Sequence, residues 1–553
     1  MSLLFCSGAQ SRTIENRANV PLSALAAEAG FPLNLRCGGQ GACRGCMVLL
    51  GAGDYCIAGK KTTVAAGETL EARACKTELL SADAVVTIPP ASLLKIGTNI
   101  EADFYSARGT LFTADKNAGS KLGVAVDIGT TTVATLLVEL NSGKIIARQS
   151  AYNQQIELGD NVAARIALCV DDANVKKLQR LIIGETIVPL ISKLAAQSGH
   201  DLNDVVRIIF SGNTVMSHLA LGFSALSIGT IPFEPLTRVF RDHDAPEIGI
   251  SICPNARVQT VSAIAGYVGG DIVSDLYVAE LFSENRFELL VDIGTNGEIV
   301  LNDHGKLLST ATAAGPAFEG AGLLHGMRAD TGVIEKIICN ADDSIDYEVI
   351  GDQPPVGLCG SAVIDFMATA FKTGLLNPMG RFDLDRLRAA GRYVALDCHG
   401  MNVNACVVVP AERAGIDENI LITEFDVSQI LKAKAAVYAG IRTLLEQSGK
   451  APNDLDRLVL AGGFAAHLRI ENAITLGLLP EIPIEKYDVI GNGSLAGAYA
   501  ALGVPAVWDA LNQISTAPAA VHLAETAGFE DRFIDALAIP NLDPDEFPAT
   551  IAE

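Results

Sequence analysis

The chain has 553 residues, 49% hydrophobic and 19% charged, a size and composition that call for about three or four compact domains and exclude a long disordered chain. Its formal charge of −23 opposes the counterion release that drives nucleic-acid binding and disfavours anionic membrane surfaces, so neither partner is expected. Charge is unevenly spread: residues 1–95 carry 9 Lys+Arg against 7 Asp+Glu, which leaves the acidic excess to the remainder and marks the N-terminal piece as a different module.

Residues 3–17 read as two short strands around Ser7-Gly8, and Pro21 to Ala29 as a helix with proline at its start and Gly30 beyond its end. A Gly/Cys loop follows, and Val85 to Ile88 reads as a closing strand stopped by Pro89-Pro90, so residues 1–89 form a small α+β domain. The start lacks a basic n-region and a signal-length apolar stretch, so a cytoplasmic location is expected, where cysteines serve as reduced thiols or metal ligands. Within the loop, Cys37, Cys43 and Cys46 are spaced x5 and x2, and Cys75 follows at a distance. This closely resembles the plant-type 2Fe-2S pattern with one residue added to the first gap. A structural zinc site is the main alternative, but it usually takes two Cys pairs and the second is missing here. Cys56 could compete as fourth ligand, although the Ala74-Cys75-Lys76 context favours Cys75. The remaining seven cysteines show no ligand spacing and read as core residues. Arg36 and Arg44 read as solvated surface or as a docking rim for an acidic redox partner.

Residues 90–122 lack periodicity and form a candidate linker. A domain then opens at Gly123 with an apolar strand ending in Asp127-Ile128-Gly129-Thr130-Thr131-Thr132, and the pattern returns as Asp292-Ile293-Gly294-Thr295-Asn296-Gly297. The shared Val-Asp-Ile-Gly-Thr points to two related lobes, 123–287 and 288–508, not to a solenoid. Each turn offers a carboxylate to Mg²⁺ and water, with N–H groups and hydroxyls to phosphate oxygens. One Asp-Gly turn alone means little, since such turns join hairpins everywhere. Glu298 and Glu319 lie in Gly-rich loops and are further candidates for Mg²⁺ or water positioning, while His218 and His467 read first as structural residues. The uncharged run Val489–Trp508 contains Asn492 and Pro505 and reads as a buried loop and helix, not a membrane span. Residues 509–553 form a C-terminal segment with an acidic tail, whose last dozen residues are expected to be poorly ordered.

Two phosphate loops followed by Leu460-Ala461-Gly462-Gly463-Phe464 resemble the acetate and sugar kinase, heat-shock-cognate 70 and actin (ASKHA) superfamily. That resemblance implies a two-lobed ATPase with ATP between the lobes and Gly462, Gly463 and Phe464 as its adenosine motif. No Gly-x4-Gly-Lys-[Ser/Thr] motif occurs, so a P-loop ATPase is not supported. Together with the cysteine pattern, Gly212-Asn213-Thr214, Gly266–Asp271, Ala314–Gly320 and Gly326-Met327-Arg328-Ala329, nearly the whole chain resembles the ATP-dependent reductive activators of corrinoid proteins. The resemblance implies a multidomain α/β protein: a β-grasp 2Fe-2S ferredoxin domain, a linker, and an actin-like ATPase. It also implies reduction of a Co(II) corrinoid to Co(I), with a methyltransferase-system corrinoid protein as partner and a low-potential electron donor upstream, and it leaves room for a homodimer. Uphill reduction from a cluster near about −400 mV gives ATP a role in the coupling. Two rival readings stand beside it: a small-molecule kinase with an accessory ferredoxin domain, and a redox or nucleotide sensor that does not hydrolyse ATP. An activator of a radical dehydratase shares the logic, but its single bridging 4Fe-4S cluster does not match the Cys37–Cys75 pattern.

Overall fold

A computed structural model describes residues 2–7, 10–31, 33, 46–81, 83–89, 92, 104, 111–159, 161–282, 284–351, 353–398 and 401–552. It divides into two compact units, one formed by Met1–Gly97 with Gln155–Asp160 and the other by the rest of the chain.

In the first unit, β1 (Ser2–Ser7) and β2 (Gln10–Glu15) form the expected hairpin. The helix α1 (Leu22–Glu28) buries Leu22, Leu25 and Ala26, the i, i+3, i+4 spacing of one helical face, and Pro21 stands at its cap. Then come β3 (Met47–Leu50), β4 (Gly53–Ile57), β5 (Lys60–Val64), β6 (Leu70–Arg73), β7 (Thr77–Leu79) and β8 (Asp83–Thr87). Five of these make a sheet in the order β2-β1-β8-β3-β6, with β1 and β8 parallel, while β5-β4-β7 form a smaller sheet. Leu3, Phe5, Leu25, Val48, Leu50 and Val86 share one core.

The second unit contains two six-stranded sheets of the same plan. The first has β9 (Leu122–Ile128), β10 (Thr132–Glu139), β11 (Ile145–Tyr152), β12 (Val205–Gly212), β13 (His243–Asp244) and β14 (Arg257–Thr260), ordered β11-β10-β9-β12-β14-β13. After the helix α2 (Gly270–Ala279) come β15 (Phe287–Ile293), β16 (Gly297–Asp303), β17 (Lys306–Thr312), β18 (Arg457–Ala461), β19 (Tyr487–Gly491) and β20 (Ala519–Ala520), ordered β19-β18-β15-β16-β17-β20. In both sheets an antiparallel meander of three strands is extended by parallel strands from its first member. β9 and β15 are buried along nearly their whole length, as befits central strands covered on both faces.

The helix α3 (Gly493–Ala501) leaves β19 of the second sheet but packs on α2 and β9 of the first lobe. Gly493 makes this approach possible: a Cβ there would stand 2.2 Å from Asp275 Oδ1. One core around α2 and α3 takes in Ala125 and Ile209 from the first sheet and Leu290, Val300 and Val459 from the second. A larger core fills the far side of the second sheet.

The predicted helical stretch 175–198 lies within a continuous helix, Asp172–Ser198, whose segment Arg180–Ile187 is wound as a π-helix. This helix is long and apolar enough to cross a membrane by length and composition, but half of it is buried against the rest of the unit. The C-terminal segment differs from expectation, because its last residues are docked. Phe547 is fully buried with its ring centroid 5.2 Å from that of Tyr438, and Glu481 accepts hydrogen bonds from the backbone of Ala549 and Thr550. The acidic composition hid a few apolar anchors that hold the tail down. Of the predicted linker, residues 90, 91, 93–103 and 105–110 lie outside the described residues.

Candidate functional site

Both Asp-x-Gly-Thr turns join the first two strands of their sheets. Asp127 near the end of β9 stands beside Ser211 of β12, and Asp292 near the end of β15 stands beside Ala461 of β18 and opposite Glu298 of β16. Directly opposed strand residues point to the same face, so Asp292 and Glu298 share one surface. After Ala461 the chain turns through Gly462 at φ +94°, where a Cβ would lie 2.6 Å from Asp292 Oδ1. The predicted adenosine loop therefore begins against the second phosphate-loop aspartate, and glycine is required there.

Each loop is braced. Asn153 Nδ2 donates to Gly129 O (3.0 Å), and Asn213, which caps the helix Thr214–Ala220, donates to Thr130 Oγ1 (3.0 Å). In the second loop Gly294 N donates to Asn296 O (3.0 Å), and Gly297 opens β16. Thr131 and Thr295 bring their hydroxyls within 3.4 Å of each other, so the two loops touch. Thr295 also donates to Glu319 (2.7 Å), and Arg328 bridges Glu319 and Thr132. The ring of Phe464 stacks on buried Phe318 at 5.4 Å, which fixes one wall beside Gly463.

Five carboxyl groups converge here: Asp127, Asp271, Asp275, Asp292 and Glu298. Asp127 is held by donors from the start of α3, Asn492 Nδ2 (2.8 Å) and Ser494 Oγ (2.7 Å). The others repel one another in a buried setting. Burial, then the charge of Asp292, pushes Asp271 up to about 8, and burial pushes Asp292 up to about 6. Glu298 is raised well above the usual carboxylate range by burial and then by Asp271 and Asp292. Asp275 is raised likewise, by burial first and then by the charges of Asp292, Asp271 and Asp127, and it shares a hydrogen bond with Asp292. Buried carboxyl groups crowded beside the two predicted phosphate loops suit a hydrated cation. Among the described residues no group of three or more His, Cys, Asp or Glu is arranged to hold a metal ion directly. Mg²⁺ needs no such cage, since it keeps several waters and takes one or two carboxylates plus phosphate oxygens. Asp271, Asp275 and Asp292 could hold it in that way.

Sequence reasoning had singled out Asp127, Asp292, Glu298 and Glu319, and the first three fall in this cluster, with Glu319 on the rim in an ion pair. The sequence assigns no site role to Asp275, Asn492 or Ser494, and names Asp271 and Arg328 only as parts of motifs. Asp271 and Asp275 lie four apart at the start of an apolar helix, a spacing that places both on one face and could have pointed to them. His218 is fully buried, with Nδ1 2.7 Å from Thr214 O, and packs edge-on to Phe240 as a core residue; His467 is exposed.

In the first unit Cys46 and Cys75 are both buried. The antiparallel pairing of Met47 with Arg73 brings them to one end of the β3–β6 ladder, where Ala74 N donates to Cys46 O (2.9 Å). Cys46 just before β3 and Cys75 in the turn after β6 are thus neighbours along the backbone of two adjacent strands. Cys37 and Cys43 lie outside the described residues. Cys169, Cys253, Cys339, Cys359 and Cys406 are buried, as expected of core thiols, whereas Cys6 and Cys56 are half-buried.

Known proteins share this architecture. Residues 122–284 match the RACo middle region and residues 286–551 the C-terminal domain of RACo, an ASKHA domain. A corrinoid activation enzyme, RamQ of Eubacterium limosum, is 33% identical over 395 residues, covering 68% of this chain and 63% of that protein. A [Co(II) methylated amine-specific corrinoid protein] reductase of Methanosarcina barkeri is 24% identical over 407 residues, 68% of each chain. The chain thus spans just under two thirds of the first relative and slightly more of the second. A solved structure of a reductive activator for corrinoid, iron-sulfur protein superposes with a TM-score of 0.72 at 28% identity, over 99% of this chain and 100% of that one. With both RACo models in sequence over more than three quarters of its length, the chain belongs to the RACo family.

Proposed function

We propose that this protein is an ATP-dependent reductive activator that returns a Co(II) corrinoid protein to the Co(I) state, passing one electron from a 2Fe-2S centre held by Cys37, Cys43, Cys46 and Cys75. The supporting observation is the pairing of two things in one chain: two buried cysteines, Cys46 and Cys75, brought to one end of a ladder in an α+β unit, and a two-lobed unit whose Asp-x-Gly-Thr loops face a buried carboxylate cluster. Both sequence relatives are named for corrinoid proteins, as is the structural neighbour, which matches along the full length. In this reading the N-terminal unit is a β-grasp ferredoxin domain, and a plant-type cluster supplies single electrons at low potential, about −400 mV.

The residues of the second unit then take defined tasks. Gly129, Thr130, Thr131 and Thr132 bind phosphate oxygens from one lobe and Gly294, Thr295, Asn296 and Gly297 from the other. Asp127, fixed by Asn492 and Ser494, orients water, and Asp292 with Asp271 and Asp275 holds hydrated Mg²⁺. Glu298, whose carboxyl is held above the usual range by burial and then by Asp271 and Asp292, lines the same side of the cleft opposite Asp292. The adenosine moiety lies against Gly462, Gly463 and Phe464. The partner is a corrinoid protein of a methyltransferase system, with a low-potential donor upstream.

The test is an anaerobic visible spectrum of a corrinoid protein mixed with this protein and a reductant, before and after Mg-ATP. Co(I) absorption appearing only with ATP, and lost in Cys75→Ala and Asp292→Ala, is the expected result. Co(I) formed equally without ATP, or ADP released in response to a metabolite instead, overturns it.

A further inference from the structure

Arg328 sits where no motif assigned a task. It lies in the loop that follows the Pro316–Glu319 turn of the second lobe, with one-fifth of its side chain exposed. One terminal nitrogen donates to the Thr132 hydroxyl of the first lobe and the other to the carboxylate of Glu319 in its own lobe. Its guanidinium carbon lies 5.1 Å from the ring centroid of Tyr152, the cross-strand partner of Thr132. Glu319 accepts with its second oxygen from Thr295 (2.7 Å), and Thr295 approaches Thr131 to 3.4 Å. The result is a chain of contacts, Thr132–Arg328–Glu319–Thr295–Thr131, that leaves one phosphate loop, crosses to the other and returns.

A phosphate seated between the loops cannot leave that chain intact. Two hydroxyls donating to the same phosphate oxygen stand roughly 4.5 Å apart, wider than the Thr131–Thr295 approach seen here. Those hydroxyls must separate, and Thr295 must turn from the Glu319 carboxylate toward phosphate. Arg328 then faces a choice between a carboxylate and a phosphoryl group, and its planar fork binds either in the same bidentate manner. A diphosphate, lacking the third anionic group, gives Arg328 less reason to change partner.

We propose that Arg328 is the sensor of the nucleotide's terminal phosphate, exchanging Glu319 and Thr132 for phosphate oxygens, so that a triphosphate alone undoes the tie between the two lobes. This rests on the reading of the cleft as a nucleotide site. The test is equilibrium binding of Mg-ADP and of a non-hydrolysable Mg-ATP analogue to the full-length protein, with melting temperature as a check on folding. Arg328→Gln should lower triphosphate affinity by about tenfold or more and leave diphosphate affinity within about twofold. Arg328→Lys should recover part of the loss, since it keeps the charge without the fork. Glu319→Gln, which removes the competing anion, should tighten triphosphate binding. Equal losses for both nucleotides, no loss, or weaker triphosphate binding in Glu319→Gln overturn the exchange while leaving the nucleotide site intact. Wild-type protein that binds neither nucleotide overturns the site itself, and the exchange with it.

Discussion

Asp271, Asp275, Asp292 and Glu298 all hold their protons more tightly than free carboxyl groups, each chiefly because of burial. A carboxyl whose folded-state pKa is raised contributes stability that is full below its unfolded value of about 4 and lost as pH climbs through the folded value. For Asp292 and Asp271 that loss runs through about 6 and about 8. In EDTA, the melting temperature should therefore fall between about pH 4 and pH 8, and Asp275→Asn should flatten the fall by removing one charge from the cluster. Adding Mg-ATP should raise the melting temperature most at the alkaline end; scanning fluorimetry across pH, with and without ligand, checks both. The two loop aspartates were legible in the sequence because strand, Asp, Gly and Thr are neighbours in the chain. Asp275 offered only its spacing from Asp271 on one helix face, and Arg328 offered less, since the packing of α2 and of the loop after Pro316–Glu319 against distant strands brings them in.

At the scale of elements, the repeat was readable because β9–β10 and β15–β16 carry the same residues at the same separation and therefore make the same hairpin and buried strand. The path of α3 was not readable, because its apolar residues would suit either lobe; the Gly493 contact with Asp275 and the core around α2 decide in favour of the first. The C-terminal segment illustrates the limit of composition. Its charges suggested a loose tail, yet Phe547 fills a fully buried position beside Tyr438, and Lys434 donates to Ala538 O (2.5 Å) and Pro540 O (2.7 Å) from within the core. Phe547→Ala should cost about 3–5 kcal/mol, the usual range for emptying a buried aromatic site. Urea unfolding with a lowered midpoint would register it, accompanied by faster proteolysis after residue 540. An unchanged midpoint would mean that the segment adds nothing to the second lobe.

At the scale of the molecule, the two units keep separate hydrophobic cores: Leu3, Phe5 and Val48 belong to one, and the apolar residues of both lobes to the others. Folding energy is therefore gathered independently in each, and damage to one site should not unfold the other. This makes the proposed coupling separable by mutation. Cys75→Ser should bleach or alter the cluster's visible absorption and abolish Co(I) formation, yet leave Mg-ATP binding within about twofold of wild type, because Cys75 belongs to the core of the first unit only. Asp127→Asn keeps the size of the side chain but removes the charge that Asn492 and Ser494 hold in place. It should lower ATP turnover by at least about 100-fold, within the range for losing a group that orients the attacking water, and leave cluster content and reduction potential unchanged. Mixing the two variants then asks whether ATP and electron must act in the same molecule. Co(I) restored by the mixture would mean that nucleotide-driven change in one chain serves an electron delivered by another. Failure of the mixture, with each variant folded and its remaining site intact, would place both events in a single chain, where ATP use and electron delivery are coupled across its two units.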